Sequence, residues 1–344
     1  MPKLSGVDQY VFKPADELEK LSTSILLAIG CGRETAHFVS QHLVDANLKG
    51  VDSHGVMRLK QYVEQANQNY FSPAGQPTCS QTKRGAWLVN GQRGFGMPAM
   101  RMAVATGVEL AQTQGISVVG VQNCGHTGRI GAFCEQGANQ SCLTILFGGG
   151  GRRGWRQVVP FGGARPMLPT NPYGFGIPGG NRGPVILDFA TSTGAGGWVY
   201  AAKSAGGSVP EGIIVDKNGK PTRNPDDYLT GGGLLPAAGP KGYGLALIAE
   251  LVGDAMLGPV KVELNWLVLI VDITRYRQPD EFPPCAEAIL AELRACPPAL
   301  GFDQVEIPGE RERATEQQRR LEGIPIPSRT WLEIQQLTET LDLP

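Results

Sequence analysis

The 344-residue sequence predicts an α/β protein, with helical sequence at both chain ends and strand-length apolar runs between them. Three observations carry that expectation. Apolar residues recur at helical spacing through the first seventy positions and again after residue 310, while glycine clusters cut the middle into short β-type runs. Neither of two glycine look-alikes completes the fingerprint that a doubly wound dinucleotide fold would need. The composition, 41% hydrophobic and 18% charged with 47 glycines and 26 prolines, is that of a folded chain rich in turns and strand ends.

The opening MPKLSGVDQY lacks the basic, apolar and small-residue order of an export signal. Residues 17–29 then place Leu18, Leu21, Ile25, Leu26 and Ile29 on one helical face, and Gly30 and Gly32 break the chain before a second helix over 33–49. Ala36, Val39, Leu43, Val44 and Leu48 form the apolar stripe of that helix. Gly50 ends it, and a polar turn, Asp52, Ser53, His54 and Gly55, leads into a third helical stretch through 62–69. Strand-type runs follow at 86–90, 118–122 and 143–147, with a long helix over 99–114 between the first two. Glycine pairs and runs at 148–151, 162–163, 179–180 and 231–233 mark loops. A buried helix after Lys241, carrying Leu245, Ile248, Leu251, Val252 and Met256, precedes an interior strand over 267–272, and charge-rich helices are expected over 310–322 and 331–341.

Charge and composition exclude several functions. With 31 basic and 32 acidic residues the net charge is −1, so the chain lacks the positive footprint that nucleic-acid binding requires. The most apolar stretches, 245–252 and 264–273, are interrupted by Glu250 and Asp272 and fall short of the roughly 20 apolar residues a membrane helix needs. The seven cysteines are odd in number and scattered without metal-ligand spacing, which reads as reduced thiols in a cytoplasmic protein with no bound metal. A small ligand is the expected partner.

Two segments imitate a nucleotide fingerprint. Gly174, Gly176 and Gly179 fit GxGxxG but run into Pro178 and GGNRGP, which cannot continue as a helix, so they read as a loop. Gly94, Gly96 and Ala99 precede a helix, yet no acidic residue follows about 20 positions later to hold a ribose hydroxyl. The four histidines divide more clearly. His37 and His42 lie inside the second helix and read as packed or solvated. His54, in SHGVMRL, is flanked by Ser53 and followed by Arg58, which a helix starting near Gly55 would point back at the turn. An imidazole near its free pKa of about 6.5 beside a guanidinium suits proton transfer next to a carboxylate, although a capped turn with a surface ion pair explains the same spacing. His126, in NCGHTGRIGAF, sits at a strand end where glycines let a flat ring or phosphate approach and where Arg129 could offset phosphate charge; a polar loop is the plain alternative. PMLPTNPYGFGIP locks Thr170 and Asn171 between prolines, VILDFATS ends a strand on Asp188, and GPKGYGLALIAELV puts Lys241 at a helix N-terminus suited to anions.

In order along the chain, SHGVMRL, NCGHTGRIGAF, PFGGARPMLPTNPYGFGIP, VILDFATS, PEGIIVDKNGKPTRNP, GPKGYGLALIAELV and IPGERERATEQQRRLEGIPIP resemble the malate/L-lactate dehydrogenase family that lacks a Rossmann fold. The likeness runs from about residue 15 to residue 335. It implies an oxidoreductase using NAD or NADP on a 2-oxo acid, 2-hydroxy acid or cyclic imino acid, a small-molecule carboxylate in each case. It also implies a homodimer and a fold of the α+β type, with a largely antiparallel or mixed cofactor sheet in an α/β cofactor- and substrate-binding domain of residues 71–299 and a helical domain combining both chain ends, residues 1–70 plus 300–344. By residue match His54 would carry the proton, Ser53 would orient it, and Arg58, Thr170 and Asn171 would meet the substrate, with His126 a second candidate for acid/base work. His126, Thr127, Gly128, Arg129, Ile130, Asp188, Phe189, Ala190, Gly196, Gly197, Lys241, Pro308, Gly309 and Glu310 would line the cofactor. Two departures stand out. GAGGWV replaces a basic residue after VILDFATS, which leaves cofactor preference open and makes a catalytically weak binding or regulatory relative the alternative, and the loop after Gly258 is shorter than the family's.

Overall fold

A computed structural model describes residues 9–204 and 206–343; all but the last two residues of the opening MPKLSGVDQY lie outside them. The chain forms β1 (Tyr10–Lys13), α1 (Ala15–Ala28), α2 (Arg33–Leu48), α3 (Arg58–Asn67), β2 (Thr78–Gln81), β3 (Trp87–Asn90), α4 (Gly96–Gln114), β4 (Ile116–Gln122), α5 (Gly131–Ala138), β5 (Cys142–Gly149), β6 (Tyr173–Ile177) and β7 (Val185–Phe189). It continues through α6 (Gly196–Ser204), β8 (Ile214–Val215), β9 (Pro221–Thr222), α7 (Pro225–Leu229), β10 (Gly233–Leu234), α8 (Pro240–Glu250), β11 (Asn265–Asp272), α9 (Phe282–Arg294), α10 (Glu310–Glu322), β12 (Ile324–Pro327) and α11 (Ser328–Thr340). The α/β expectation holds, on a seven-stranded mixed sheet ordered β2-β3-β4-β11-β5-β6-β7. Within it β2 pairs antiparallel with β3, and β3 pairs parallel with β4.

Two compact units divide the chain. The larger holds Val11–Leu146, Gly174–Asp188 and the chain from Val268 onward; the smaller holds Phe147–Tyr173 and Phe189–Leu267. In the larger, the predicted stripe of α2 is wholly buried, as are Phe95, Met97, Met100 and Val104 of the α4 region and Val119 and Val121 of β4, the strand against which α4 packs. Each such side chain removed from water stabilises the fold by about 2 kcal/mol. Gly107 lets α4 approach the sheet, since a Cβ there would stand 2.8 Å from Ile270. The chain ends meet where β1 pairs with β12. In the smaller unit Val158, Leu168, Val199, Ile214, Leu234 and Ala246 form a separate core beneath the three-stranded sheet β10-β8-β9.

Two expectations are corrected. The segment around Gly174 and Gly176 is not a loop but strand β6, and its glycines serve packing: a Cβ at Gly174 would stand 2.7 Å from the Cys134 Sγ, and one at Gly176 would collide with the Cys134 carbonyl of α5. The helix after Lys241 is not buried on its large side chains. Leu245, Ile248, Leu251 and Met256 are exposed, and α8 turns Gly242, Ala246, Ala249 and Glu250 inward instead. Small residues permit a backbone-to-backbone approach there, because a Cβ on Gly149 would collide with the Ala249 carbonyl. Among the described residues no helix is long and apolar enough to cross a membrane.

Candidate active site

The turn Asp52–His54 is a single 3₁₀ turn held from two sides. Asn47, near the end of α2, donates from Nδ2 to Asp52 Oδ1 (2.7 Å) and accepts the Val56 N–H on Oδ1 (2.8 Å). Gly55 is required by this contact, since any Cβ there would collide with the Asn47 amide. From α10, Arg319 grips the Asp52 carboxylate with both terminal nitrogens (2.6 and 3.0 Å). The turn carrying His54 is therefore anchored by side chains on α2 and α10, and neither anchor was among the residues expected from sequence.

His54 is half-buried, and its Nδ1 lies 2.9 Å from Ser53 Oγ. Arg58 opens α3 and folds back as expected: its Nε donates to Ser53 O (2.7 Å) and its Nη1 to Gln61 Oε1 (2.6 Å). Among the described residues the Arg58 guanidinium has no acidic partner, so a plain surface ion pair does not account for it.

His126 reaches the same place along the sheet. The parallel pairing of β3 with β4 brings Asn90 level with Gln122, and the loops that follow join through Gly91 N–H to Gln122 O, Gly125 N–H to Gly94 O and Gly96 N–H to His126 O. The Gly94–Gly96 look-alike thus serves loop packing. The ring of His126 stacks on that of His54, with centroids 5.5 Å apart and an 18° interplanar angle. Its Nδ1 lies 2.8 Å from the hydroxyl of Tyr62, a buried residue of α3 held edge-on against Phe95. Tyr62 was missed, although its i, i+4 spacing from Arg58 puts both on one helix face and could have signalled it.

Electrostatics depart from the sequence expectation. Burial, with Arg58 next in importance, pushes the His54 pKa down to about 3. The same two influences, joined by His54 itself, hold His126 well below the ordinary imidazole range. Crowded positive and apolar surroundings disfavour the imidazolium, so both rings are neutral in the free protein at pH 7. His42 is indeed a packed histidine, stacked on Phe133 at 5.3 Å and held down to about 3 by burial and by Arg129.

The other expected residues are distributed as follows. Thr127, Gly128, Arg129 and Ile130 are buried behind His126. Arg129 does not stand free to meet a phosphate: it is 3% exposed and donates to Asp45 (2.8 Å) and Glu135 (3.1 Å). Asp188 accepts the Gly131 N–H at 2.8 Å; much of its surface is open, yet protein crowded round it raises its carboxyl to about 6, against the opposing pull of that N–H and Arg129. Pro308 accepts the Ile186 N–H, Gly309 adopts a left-handed φ of +96°, and Glu310 is engaged by Arg294. All of these belong to the larger unit, as do Ser53, His54 and Arg58.

The smaller unit holds the rest. Thr170 is half-buried with its hydroxyl unpaired among the described residues. Asn171 is 0% exposed; its Nδ2 donates to Gly148 O and Glu250, while its Oδ1 is buried with no partner among the described residues, so the expected substrate contact is not open in this conformation. Phe189 stacks at 6.1 Å on Tyr173, and Ala190 is half-buried beside it in sequence. Gly196 is buried against Gln157 and Tyr228, whereas Gly197 opens on free space. Lys241 is exposed in the first turn of α8, whose N-cap Gly239 makes no side-chain cap.

The family model for malate/L-lactate dehydrogenase matches residues 14–335. Ureidoglycolate dehydrogenase (NAD(+)) of Escherichia coli O157:H7 is 31% identical over 325 residues, 90% of this chain and 91% of that protein. A Δ1-pyrroline-2-carboxylate/Δ1-piperideine-2-carboxylate reductase of Pseudomonas putida is 28% identical over 342 residues, 95% and 96% of the two chains. The crystal structure of malate dehydrogenase from Entamoeba histolytica superposes with a TM-score of 0.91 at 25% identity, covering 98% of this chain and 99% of that one.

Proposed function

We propose, since this chain belongs to the malate/L-lactate dehydrogenase family, that it is an NAD(P)-dependent oxidoreductase moving a hydride between nicotinamide and the C=O or C=N carbon next to a carboxylate. One observation carries the reading: a guanidinium without an acidic partner among the described residues, Arg58, stands beside two stacked neutral imidazoles, His54 and His126. A substrate carboxylate would supply the missing anion and pair with Arg58 through two hydrogen bonds, which orients the reacting carbon. Within the smaller unit, the Thr170 hydroxyl, unpaired among the described residues, is a candidate in its own right for contact with a substrate carboxylate.

Each imidazole has one nitrogen already defined by a hydroxyl, Ser53 for His54 and Tyr62 for His126. This leaves His54 Nε2 to take the proton of a hydroxy acid, a role that suits a ring neutral at pH 7. In the reducing direction a bound carboxylate offsets Arg58, favours the imidazolium and lets the same nitrogen donate.

The nicotinamide cofactor supplies or accepts the hydride. The residues present fit such a group: Lys241 at the N-terminus of α8 suits phosphate. A cavity of about 530 Å³ lined by Phe161, Gly162, Thr193, Pro236 and Gly239 suits a flat ring. The exposed apolar residues Leu245, Ile248, Leu251 and Met256 support assembly as a homodimer, and seven scattered cysteines with no disulfide among the described residues agree with a cytoplasmic protein.

The test is to mix the protein with NADH or NADPH and, in turn, pyruvate, other 2-oxo acids and cyclic imino acids, following the reduced-nicotinamide absorbance. Oxidation of one cofactor with at least one carboxylate is expected. No change across the whole panel would favour a binding protein on this scaffold.

A further inference from the structure

The run Gly148–Gly151 at the end of β5 has a partner that its composition does not announce. At Gly149 a Cβ would collide with the Ala249 carbonyl, and at Gly253 with Gly149, so strand end and helix end meet backbone to backbone. Gly150 adds a left-handed φ of +86°. Where they meet, α8 widens into a π-helical turn over Leu251–Met256, and Glu250 is carried into the smaller unit's interior at 4% exposure.

The Glu250 carboxylate collects four N–H donors. Oε1 accepts Gly150 N–H (2.9 Å), Gly151 N–H (3.2 Å) and Asn171 Nδ2–H (2.8 Å); Oε2 accepts Arg152 N–H (3.2 Å). Arg152's guanidinium stands 4.0 Å away and is engaged by Asp254. Packing alone would be served by an apolar side chain, and a buried carboxylate is retained at a cost that only such a full donor set offsets. What it holds is specific. Asn171 sits in the left-handed region at φ +38°, an uncommon place for a non-glycine residue. Its neighbour Thr170 is pinned by its carbonyl, which accepts both the N–H and the hydroxyl of Thr191 at 2.9 Å. That leaves the Thr170 hydroxyl unpaired among the described residues.

We propose that Glu250 is a positioning residue for substrate-carboxylate recognition: by binding Asn171 and the Gly150–Arg152 amides at once, it fixes the loop that presents the Thr170 hydroxyl. This rests on the reading of Thr170 given under Proposed function.

The test compares Glu250→Gln and Thr170→Ala singly and together. A glutamine turns an NH₂ toward N–H donors that need an acceptor, so KM for the carboxylate substrate should rise roughly tenfold or more. Turnover should change little and the Kd for the nicotinamide cofactor not at all, because the loss falls on uniform substrate binding. The double variant should be no worse than the poorer single one, the signature of residues acting through one contact. Independently of activity, hydrogen exchange at the Gly150, Gly151 and Arg152 amides should accelerate. Glu250→Asp, which keeps the charge but withdraws it by one methylene, gives the same readouts should the glutamine variant fail to fold. An unchanged KM with faster exchange would overturn the proposal in favour of a purely structural carboxylate, and unchanged exchange would overturn the cradle itself. A wild-type protein inactive on the whole substrate panel would instead defeat the functional reading, while the exchange result would still stand.

Discussion

Lowering the pH from 7 toward 4.5 should destabilise this protein steeply, because three imidazoles are held neutral by the fold. His42 and His54 are lowered to about 3 and His126 well below its ordinary value, while in the unfolded chain each titrates near 6.5. The folded values lie below the unfolded ones, so this stabilisation is complete above about pH 6.5 and is lost as pH falls toward 3. At pH 5 unfolding takes up nearly three protons, each contributing about 1.4 kcal/mol per pH unit. Asp188 opposes them. Its carboxyl, raised to about 6, is protonated earlier in the folded state and gains stability over the same interval, though its open surface weakens this. The net loss should be about 3 kcal/mol per pH unit between pH 6 and 5, a large part of a typical total of 5 to 15 kcal/mol. Urea unfolding followed by tryptophan fluorescence at half-unit steps of pH measures it directly. A slope below about 1.4 kcal/mol per pH unit, less than one proton, would refute the burial argument for these histidines.

Other perturbations follow from the same contacts. Tyr62→Phe keeps the ring against Phe95 but deletes the hydroxyl 2.8 Å from His126 Nδ1; thermal unfolding should show a loss of about 1 to 3 kcal/mol, and turnover should fall. Arg58→Lys preserves charge but not the two-pronged geometry, so KM for carboxylate substrates should rise, and an unaltered KM would count against its role. Gly55→Ala must displace the Asn47 amide and both hydrogen bonds it makes, which urea midpoints should register as a loss of about 2 to 3 kcal/mol.

Much of the fold could be read from residue order alone, and the failures share a cause. The α10 helix was bounded correctly because its charges recur at helical spacing between Gly309 and Gly323, both at left-handed φ. The stripe of α2 was legible because every member faces the same core. Periodicity says which face of α8 is apolar, but not whether this chain covers that face; small residues pack inward there and the large ones are left exposed. The same limit applies in the candidate site. SHGVMRL showed that His54 and Arg58 are neighbours, since Arg58 folds back onto the Ser53 carbonyl within the same short stretch. Tyr62 to His126 and Asp52 to Arg319 span 64 and 267 positions, and nothing local in the sequence pairs them. Arg129 and Asn171 carried the right chemistry for a ligand, but Asp45, Glu135 and Glu250 already hold them.

The account turns on His54 as the group that moves the proton. Replacing it with alanine and measuring NADH or NADPH binding by fluorescence alongside steady-state turnover tests this with one variant. The stacked geometry predicts cofactor affinity within a small factor of wild type and turnover lower by at least about a hundredfold. Turnover retained at the wild-type level, with the cofactor bound as before, would contradict it.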